Sequence, residues 1–225
     1  MATCDLMKKI IEHTEASCDQ EHLRICVDSN TNIPDRTAAI LGQGEDPRPE
    51  MIKSAVRLQC MGADVLIVPC NTAHNFLPDV EKCVDIPVLH MPGETARALL
   101  DRGVRIAAVL ATDGTLQSGL YHRELEKLGI KPICPDAEEQ KMLMSVIYDY
   151  VKAGEPYPYP ERLVRLQTHL AEQGAECMIL GCTELPLAFS QIPSVLPAMD
   201  ATTVLAEAAI RYTGKKTVTK KGNAP

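Results

Sequence analysis

One stretch of this chain occurs twice. GADVLIVPCNT at 62–72 and GAECMILGCTE at 174–184 each place a Gly-Ala-acid turn before a short apolar run, then a cysteine followed by hydroxyl or amide side chains. Apolar runs of this length, bounded by turn residues, read as strands buried on both faces, the pattern of parallel sheets packed between helices. Cys70 and Cys182 therefore stand at the C-terminal tips of two equivalent strands, each entering a polar turn at the start of a helix. A fold that contains this unit twice brings two thiols to the same end of its sheets.

The rest of the chain keeps an α/β rhythm around the two copies. Leu6, Met7, Ile10 and Ile11 recur at helical spacing, opposite Lys8, Lys9 and Glu12. Leu23 to Val27 reads as a buried strand that ends in the polar run Asp28 to Asn32. A Gly- and Pro-rich loop follows, then a helix over 49–60 closing at Gly62, the first thiol strand over 65–68, a helix over 73–84, a short strand over 87–89 and a helix over 94–100. The second half repeats this with strands over 104–110, near Ile133, over 177–180 and over 195–199, and with helices reaching about Leu128, over 138–151, up to Gly174 and over 202–212. The expected fold is α/β, with two Rossmann-like three-layer halves of mostly parallel sheet related by a pseudo-twofold. Residues 1–94 with 199–225 form one half and residues 95–198 the other. Ligands of open α/β sheets bind beyond the carboxyl ends of the strands, so the active site is expected in the cleft between the halves.

Composition narrows the function. A net charge of −7 argues against nucleic acid or an anionic membrane as partner. The basic residues Lys215, Lys216, Lys220 and Lys221 read as a solvated end. With no Trp and only two Phe, the core must be aliphatic. Nine cysteines at irregular spacing form no disulfide framework, no pair has C-x-x-C spacing, and no stretch reads as a signal peptide or membrane span. Free thiols, a cytoplasmic location and no structural metal are the expectation.

Cys4, Cys18, Cys26, Cys60, Cys83, Cys134 and Cys177 read as small buried apolar side chains. Cys70 and Cys182 differ because the N–H groups and dipole of a following helix favour a thiolate. Two opposed thiols suit proton abstraction from an acidic carbon: one removes a proton from one face while the other supplies a proton to the opposite face, inverting the stereocentre. The enolate-like carboxylate that develops needs N–H and O–H donors. Asn71, Thr72 and Thr183 follow the thiols and are of the right type. Glu184 has no counterpart in the first copy and reads as an orienting group or a helix N-terminal acid. A redox dithiol is the other chemistry open to two thiols, and it requires Cα atoms under about 7 Å apart.

Pro69-Cys-Asn-Thr-Ala-His74 and Gly181-Cys-Thr-Glu-Leu-Pro186 resemble the paired signatures of the aspartate/glutamate racemase superfamily, which works without pyridoxal phosphate. Cys-Thr-Glu is similar to the aspartate racemase branch, where glutamate racemases of cell-wall synthesis usually have His after Cys-Thr. Further similar stretches are Ile33-Pro-Asp-Arg-Thr-Ala38, Gly44-Glu-Asp-Pro47, Leu110-Ala-Thr-Asp-Gly-Thr115 and Lys152-Ala-Gly154, and together they span about residues 1 to 212.

The resemblance implies cofactor-independent racemisation of aspartate, and of glutamate as a second substrate, with Cys70 and Cys182 as the acid/base pair. By the same resemblance Arg36 and Lys152 contact the substrate carboxylates, a role suited to cations. Thr112 and Thr115 either donate to the substrate or cap the following helix. The resemblance also implies a homodimer whose only small-molecule partner is an acidic amino acid. Members of the family begin with a strand and a glycine-rich turn, whereas here Met1-Ala-Thr-Cys stands where that turn would end. Open apolar sheet surface in the first half is therefore expected. Two alternatives remain beside racemisation: an isomerase or decarboxylase of a related diacid, and a dicarboxylate-binding protein of impaired activity.

Overall fold

The alternation of apolar residues in the second half is satisfied by one parallel sheet. The computed structural model, which describes residues 1–218, has four strands, β1 (Ile106–Ala111), β2 (Lys131–Ile133), β3 (Cys177–Gly181) and β4 (Ala198–Asp200), all parallel in the order β2-β1-β3-β4. Both faces of the two central strands are covered. Ala108, Leu110, Met178 and Leu180 pack on one side against Leu143, Ile147, Leu166 and Leu170. Ala107, Val109, Ala111, Cys177 and Ile179 pack on the other against Ala96, Leu99, Tyr121 and Leu125. This is the period of two that a pleated strand imposes, and each large aliphatic side chain so buried contributes about 1.5–3 kcal/mol.

The helices are α1 (Ala2–His13), α2 (Arg36–Ile40), α3 (Arg48–Cys60), α4 (Leu77–Glu81), α5 (Met91–Asp101), α6 (Asp113–Gln117), α7 (Leu120–Lys127), α8 (Ala137–Ser145), α9 (Pro160–Glu172), α10 (Leu185–Phe189) and α11 (Ala201–Tyr212). Three expected helices are interrupted. The one expected over 73–84 is a 3-10 turn (Thr72–Phe76) followed by α4, because Pro78 lacks the N–H that a continuous helix requires. The one ending near Leu128 breaks at Gly119, whose φ of +64° is left-handed. The helix over 138–151 ends in a π-helical turn, Val146–Val151. α11 packs on α1 through Leu6, Ile10, Leu205 and Ile210, and Lys9 reaches across to Asp200 at 2.6 Å. Lys215 and Lys216 are described, while Lys220 and Lys221 lie outside the described residues. Among the described residues no helix is long and apolar enough to cross a membrane.

The first half follows the expected order, but its strands are hardly laddered. Val65 to Val68 meets the 87–89 run at a single parallel bridge, Leu66 with Val88. Leu66 N–H donates to the Pro87 carbonyl at 2.9 Å, and Leu89 N–H to the Leu66 carbonyl at 3.0 Å. The next donor on one side would be residue 87, which is proline. On the other side the Met91 N–H is taken by the His74 ring. Leu23 to Val27, expected as a strand, makes no backbone–backbone hydrogen bond among the described residues. A cavity of about 320 Å³ is lined by residues 28–31 on one side and 66–70 on the other, with Met51, Ala55 and Leu58 among its apolar walls.

His74 does the work that a longer ladder would do. Met91 N–H donates to its Nε2 at 3.1 Å, so the proton sits on Nδ1, which donates to the Cys70 carbonyl at 2.9 Å. The ring is 2 % exposed and packs edge-on against His90 at 5.4 Å. Burial is the main reason its pKa falls to about 4. The unfolded chain thus takes up this proton near pH 6.5 and the folded chain only near 4, so stability is lost as pH falls through that window. This group alone is expected to account for about 3 kcal/mol. Urea unfolding from pH 7 to pH 4 should show a slope that is flattened in His74→Gln.

Gly181 is where the two central strands leave no room. A Cβ there would lie 3.0 Å from the Leu110 carbonyl oxygen and 3.2 Å from both Ala111 Cβ and Tyr121 Cε2. Gly181→Ala is expected to destabilise the fold by roughly 1–3 kcal/mol, read as a lower thermal midpoint.

Candidate active site

The β1–β3 register ends at Ala111 opposite Gly181, so Thr112 and Cys182 leave adjacent strands at the same level. Cys70 arrives from the first half through the tight turn that its N–H makes with the Val68 carbonyl at 2.8 Å. Cys70, Asn71, Thr72, Arg36, Thr112, Lys152, Cys182 and Thr183 all line one cavity of about 100 Å³, together with Asp35, Thr37, Tyr148 and Glu184. Of the residues expected from sequence, Thr115 alone is absent from that lining. It is 1 % exposed and lies behind Thr72 and Thr112.

The two thiols have opposite surroundings. The Cys182 thiol donates to Glu184 Oε2 at 2.9 Å, and the Thr183 hydroxyl donates to the same oxygen at 2.9 Å. Burial, followed by the charge of Glu184, raises the Cys182 pKa well above the ordinary thiol range. The idea that a helix start would favour a thiolate at both positions therefore fails here: α10 has five residues, and desolvation with a neighbouring carboxylate outweighs its dipole.

At Cys70 the neighbour is a cation. Burial would lower the Arg36 pKa, but the Cys70 sulfur beside it, then Asp35 and Tyr148, hold it raised. The guanidinium also donates to the carbonyls of Ile33 and Pro34 at 3.1 and 2.9 Å. Lys152 follows the π-helical turn and sits 3.8 Å from the centroid of the Tyr148 ring. Burial opposes its charge, while Tyr148, Glu184 and Cys182 raise its pKa. Two cations, Arg36 and Lys152, and two carboxylates, Asp35 and Glu184, thus line the cavity.

The hydroxyl donors are mostly engaged with one another. Thr72 Oγ1 lies 3.1 Å from Thr112 Oγ1 and 2.8 Å from Thr115 Oγ1, and the last two are 3.2 Å apart. Thr112 Oγ1 also accepts from the Thr115 N–H, capping α6. This closed ring has one proton per hydroxyl for its three contacts, which favours the capping side of the two readings of Thr112 and Thr115. Asn71 is different: its Oδ1 accepts from the buried Tyr121 hydroxyl at 2.6 Å, while its Nδ2 is buried without a partner. Tyr121 and Tyr148 carried no signal as site residues in the sequence, and Asp35 and Thr37 stood only within the family-like stretch Ile33 to Ala38, since each becomes a site residue only through contact with a distant segment. A separate group, Asp136, Glu139 and His169, has ligand atoms within metal-binding reach of one another. Asp136 and Glu139 form the capping box of α8, and none of the three lines the cavity.

Comparison with known proteins places this architecture. The chain is 26% identical over 166 residues to the broad specificity amino-acid racemase RacX of Bacillus subtilis, which covers 74% of this chain and 72% of that protein. It is 30% identical over 164 residues to a glutamate racemase of Koribacter versatilis, which covers 71% of this chain and 55% of the relative. The chain spans about half the length of the curated glutamate racemases it matches. Among solved structures, Picrophilus torridus aspartate racemase superposes with a TM-score of 0.85 at 28% identity, covering 97% of this chain and 92% of that one. The α/β fold with two Rossmann-like halves is the fold of these neighbours. The model of the family described as Asp/Glu/Hydantoin racemase matches residues 1–209, and the chain belongs to that family.

Proposed function

We propose that this protein racemises a small acidic amino acid, aspartate in the first instance, by proton transfer between Cys70 and Cys182 without a cofactor. The observation that carries this reading is that both thiols line one small cavity together with Arg36 and Lys152. A dicarboxylate needs two cationic partners, and a stereocentre between two thiols has an acid/base group on each face. The likeness to an aspartate racemase and to a broad specificity amino-acid racemase supports the same substrate class.

In the proposed step the Cys70 thiolate, held beside Arg36, takes the α-proton of one enantiomer. The C–H electron pair moves into the carboxylate as an enediolate. Cys182 gives its proton to the opposite face, and the enediolate electrons form the new C–H bond. Cys70 ends as a thiol and Cys182 as a thiolate, the state that serves the other enantiomer. Asn71 Nδ2, without a partner among the described residues, is the donor for the enediolate oxygen. The raised pKa of Cys182 suits a resting acid, and Glu184 holds its proton in place until the substrate arrives.

The reading is tested by deuterium incorporation at the α-carbon of L- and D-aspartate in D₂O, with glutamate as the comparison. Cys70→Ser and Cys182→Ser are each expected to lower racemisation by at least about 10²-fold. Full racemisation by either variant would overturn the two-thiol assignment. Because the Glu184 carboxylate adds to the high pKa of Cys182, Glu184→Gln should let Cys182 alkylate at lower pH than in the parent protein. Peptide-resolved iodoacetamide labelling across pH 6 to 10 measures this directly.

A further inference from the structure

Arg36 is carried by α2, a helix of five residues set in a long loop. Its hydrogen bonds to Ile33 and Pro34 are internal to that loop. They orient the guanidinium but do not fix where the loop lies relative to the second half. One glycine does. A Cβ on Gly114, in α6, would lie 2.9 Å from Thr37 Cα and 3.2 Å from both Thr37 Cγ2 and Oγ1. Within the loop itself, a Cβ on Gly44 would lie 2.8 Å from Ala38 Cβ. The backbone of α2 is thus seated directly on α6, closer than any side chain at position 114 would allow. At the same place the buried Thr37 hydroxyl donates to Thr112 Oγ1 at 3.3 Å, joining the hydroxyl ring that also contains Thr72 and Thr115. Thr72 lies two residues beyond Cys70, so one network reaches from the arginine helix to the thiol turn.

We propose that Thr37 and Gly114 are positioning residues whose contact seats α2 on α6 and thereby sets the Arg36 guanidinium in the small cavity that the Cys70 thiol also lines. Neither needs to touch the substrate. A side chain at position 114 lifts α2, and loss of the Thr37 hydroxyl frees it from the threonine ring. Either change moves a charge that acts over a few ångströms, where attraction falls steeply with separation and with entering water. The inference deepens the two-thiol reading, and rests on it for what the guanidinium accomplishes in catalysis.

The test uses two alkylating agents of similar size on the full chain. Iodoacetate is an anion and iodoacetamide is neutral, and both require the Cys70 thiolate. The ratio of their rates at the Cys70 peptide therefore cancels the ionisation of the thiol and reports the positive charge beside the sulfur. Gly114→Ala and Thr37→Val are expected to lower this ratio about fivefold, while Thr37→Ser keeps it near the parent value. Arg36→Gln should lower it at least as much, and adding Thr37→Val to Arg36→Gln should change it no further. Should Gly114→Ala not fold, the Thr37→Val and Thr37→Ser pair carries the test. An unchanged ratio in Thr37→Val would overturn the inference, as would a full further loss on the Arg36→Gln background. A protein with the expected ratios but no exchange of the aspartate α-proton would refute the proposed reaction and leave this seat of α2 established.

Discussion

The pairing of β1 with β3 is the constraint on which the second half of this protein rests. Both strands are buried on both faces, so every backbone N–H and C=O in them must find its partner in the neighbouring strand or remain unsatisfied away from water. A slip of one residue would exchange the two apolar faces and bring the wrong side chains to each helix layer. The register is therefore unique, and it delivers Thr112 and Cys182 side by side at the strand tips. Gly181 belongs to the same constraint, since a side chain there would crowd the Leu110 carbonyl and the Tyr121 ring.

The first half reaches the equivalent arrangement by other means. Its thiol strand has one bridge, bounded by Pro87 on one side and by the diversion of the Met91 N–H to His74 on the other. Cys70 is located less by a sheet than by a buried imidazole bonded to its own carbonyl and to the start of α5. Two copies of one sequence pattern are thus held by different interactions, a ladder at Cys182 and a side-chain tie at Cys70. The chemical consequence lies in what surrounds each sulfur. Glu184 accepts a hydrogen bond from the Cys182 thiol, while Arg36 stands beside Cys70. A symmetric scaffold carries an asymmetric charge distribution, which distinguishes the two thiols before any substrate is present.

Much of this was legible in the chain. The strand tips, the amphipathic helices around them and the order of elements in the second half follow from apolar periodicity, which acts over a few residues. What did not follow has a common cause. Leu23 to Val27 has the composition of a strand, but a strand exists only when a partner accepts its hydrogen bonds. The helix expected over 73–84 has the right spacing, and Pro78 interrupts it. Thr112 and Thr115 are of the type that serves a ligand, yet their hydroxyls close a ring with Thr72 that only the approach of the two halves creates. Tyr121 and Tyr148 gave no sign at all, and Thr37 and Gly114 stood only inside the family-like stretches 33–38 and 110–115 with no role of their own, because each matters through a neighbour remote in sequence.

The sequence by itself determined that two thiols would end equivalent strands and face one cleft, and that Cys182 would have a carboxylate two positions on. Those features are local, set by the alternation of side chains along a strand and by the turn that follows it. The tertiary structure alone decided that Arg36 would sit beside Cys70, that Lys152 would lie over Tyr148 at the same cavity, and that a glycine in α6 would let α2 close in. Electrostatic and steric interactions depend on distance through space, and for these residues that distance is fixed only when the two halves pack.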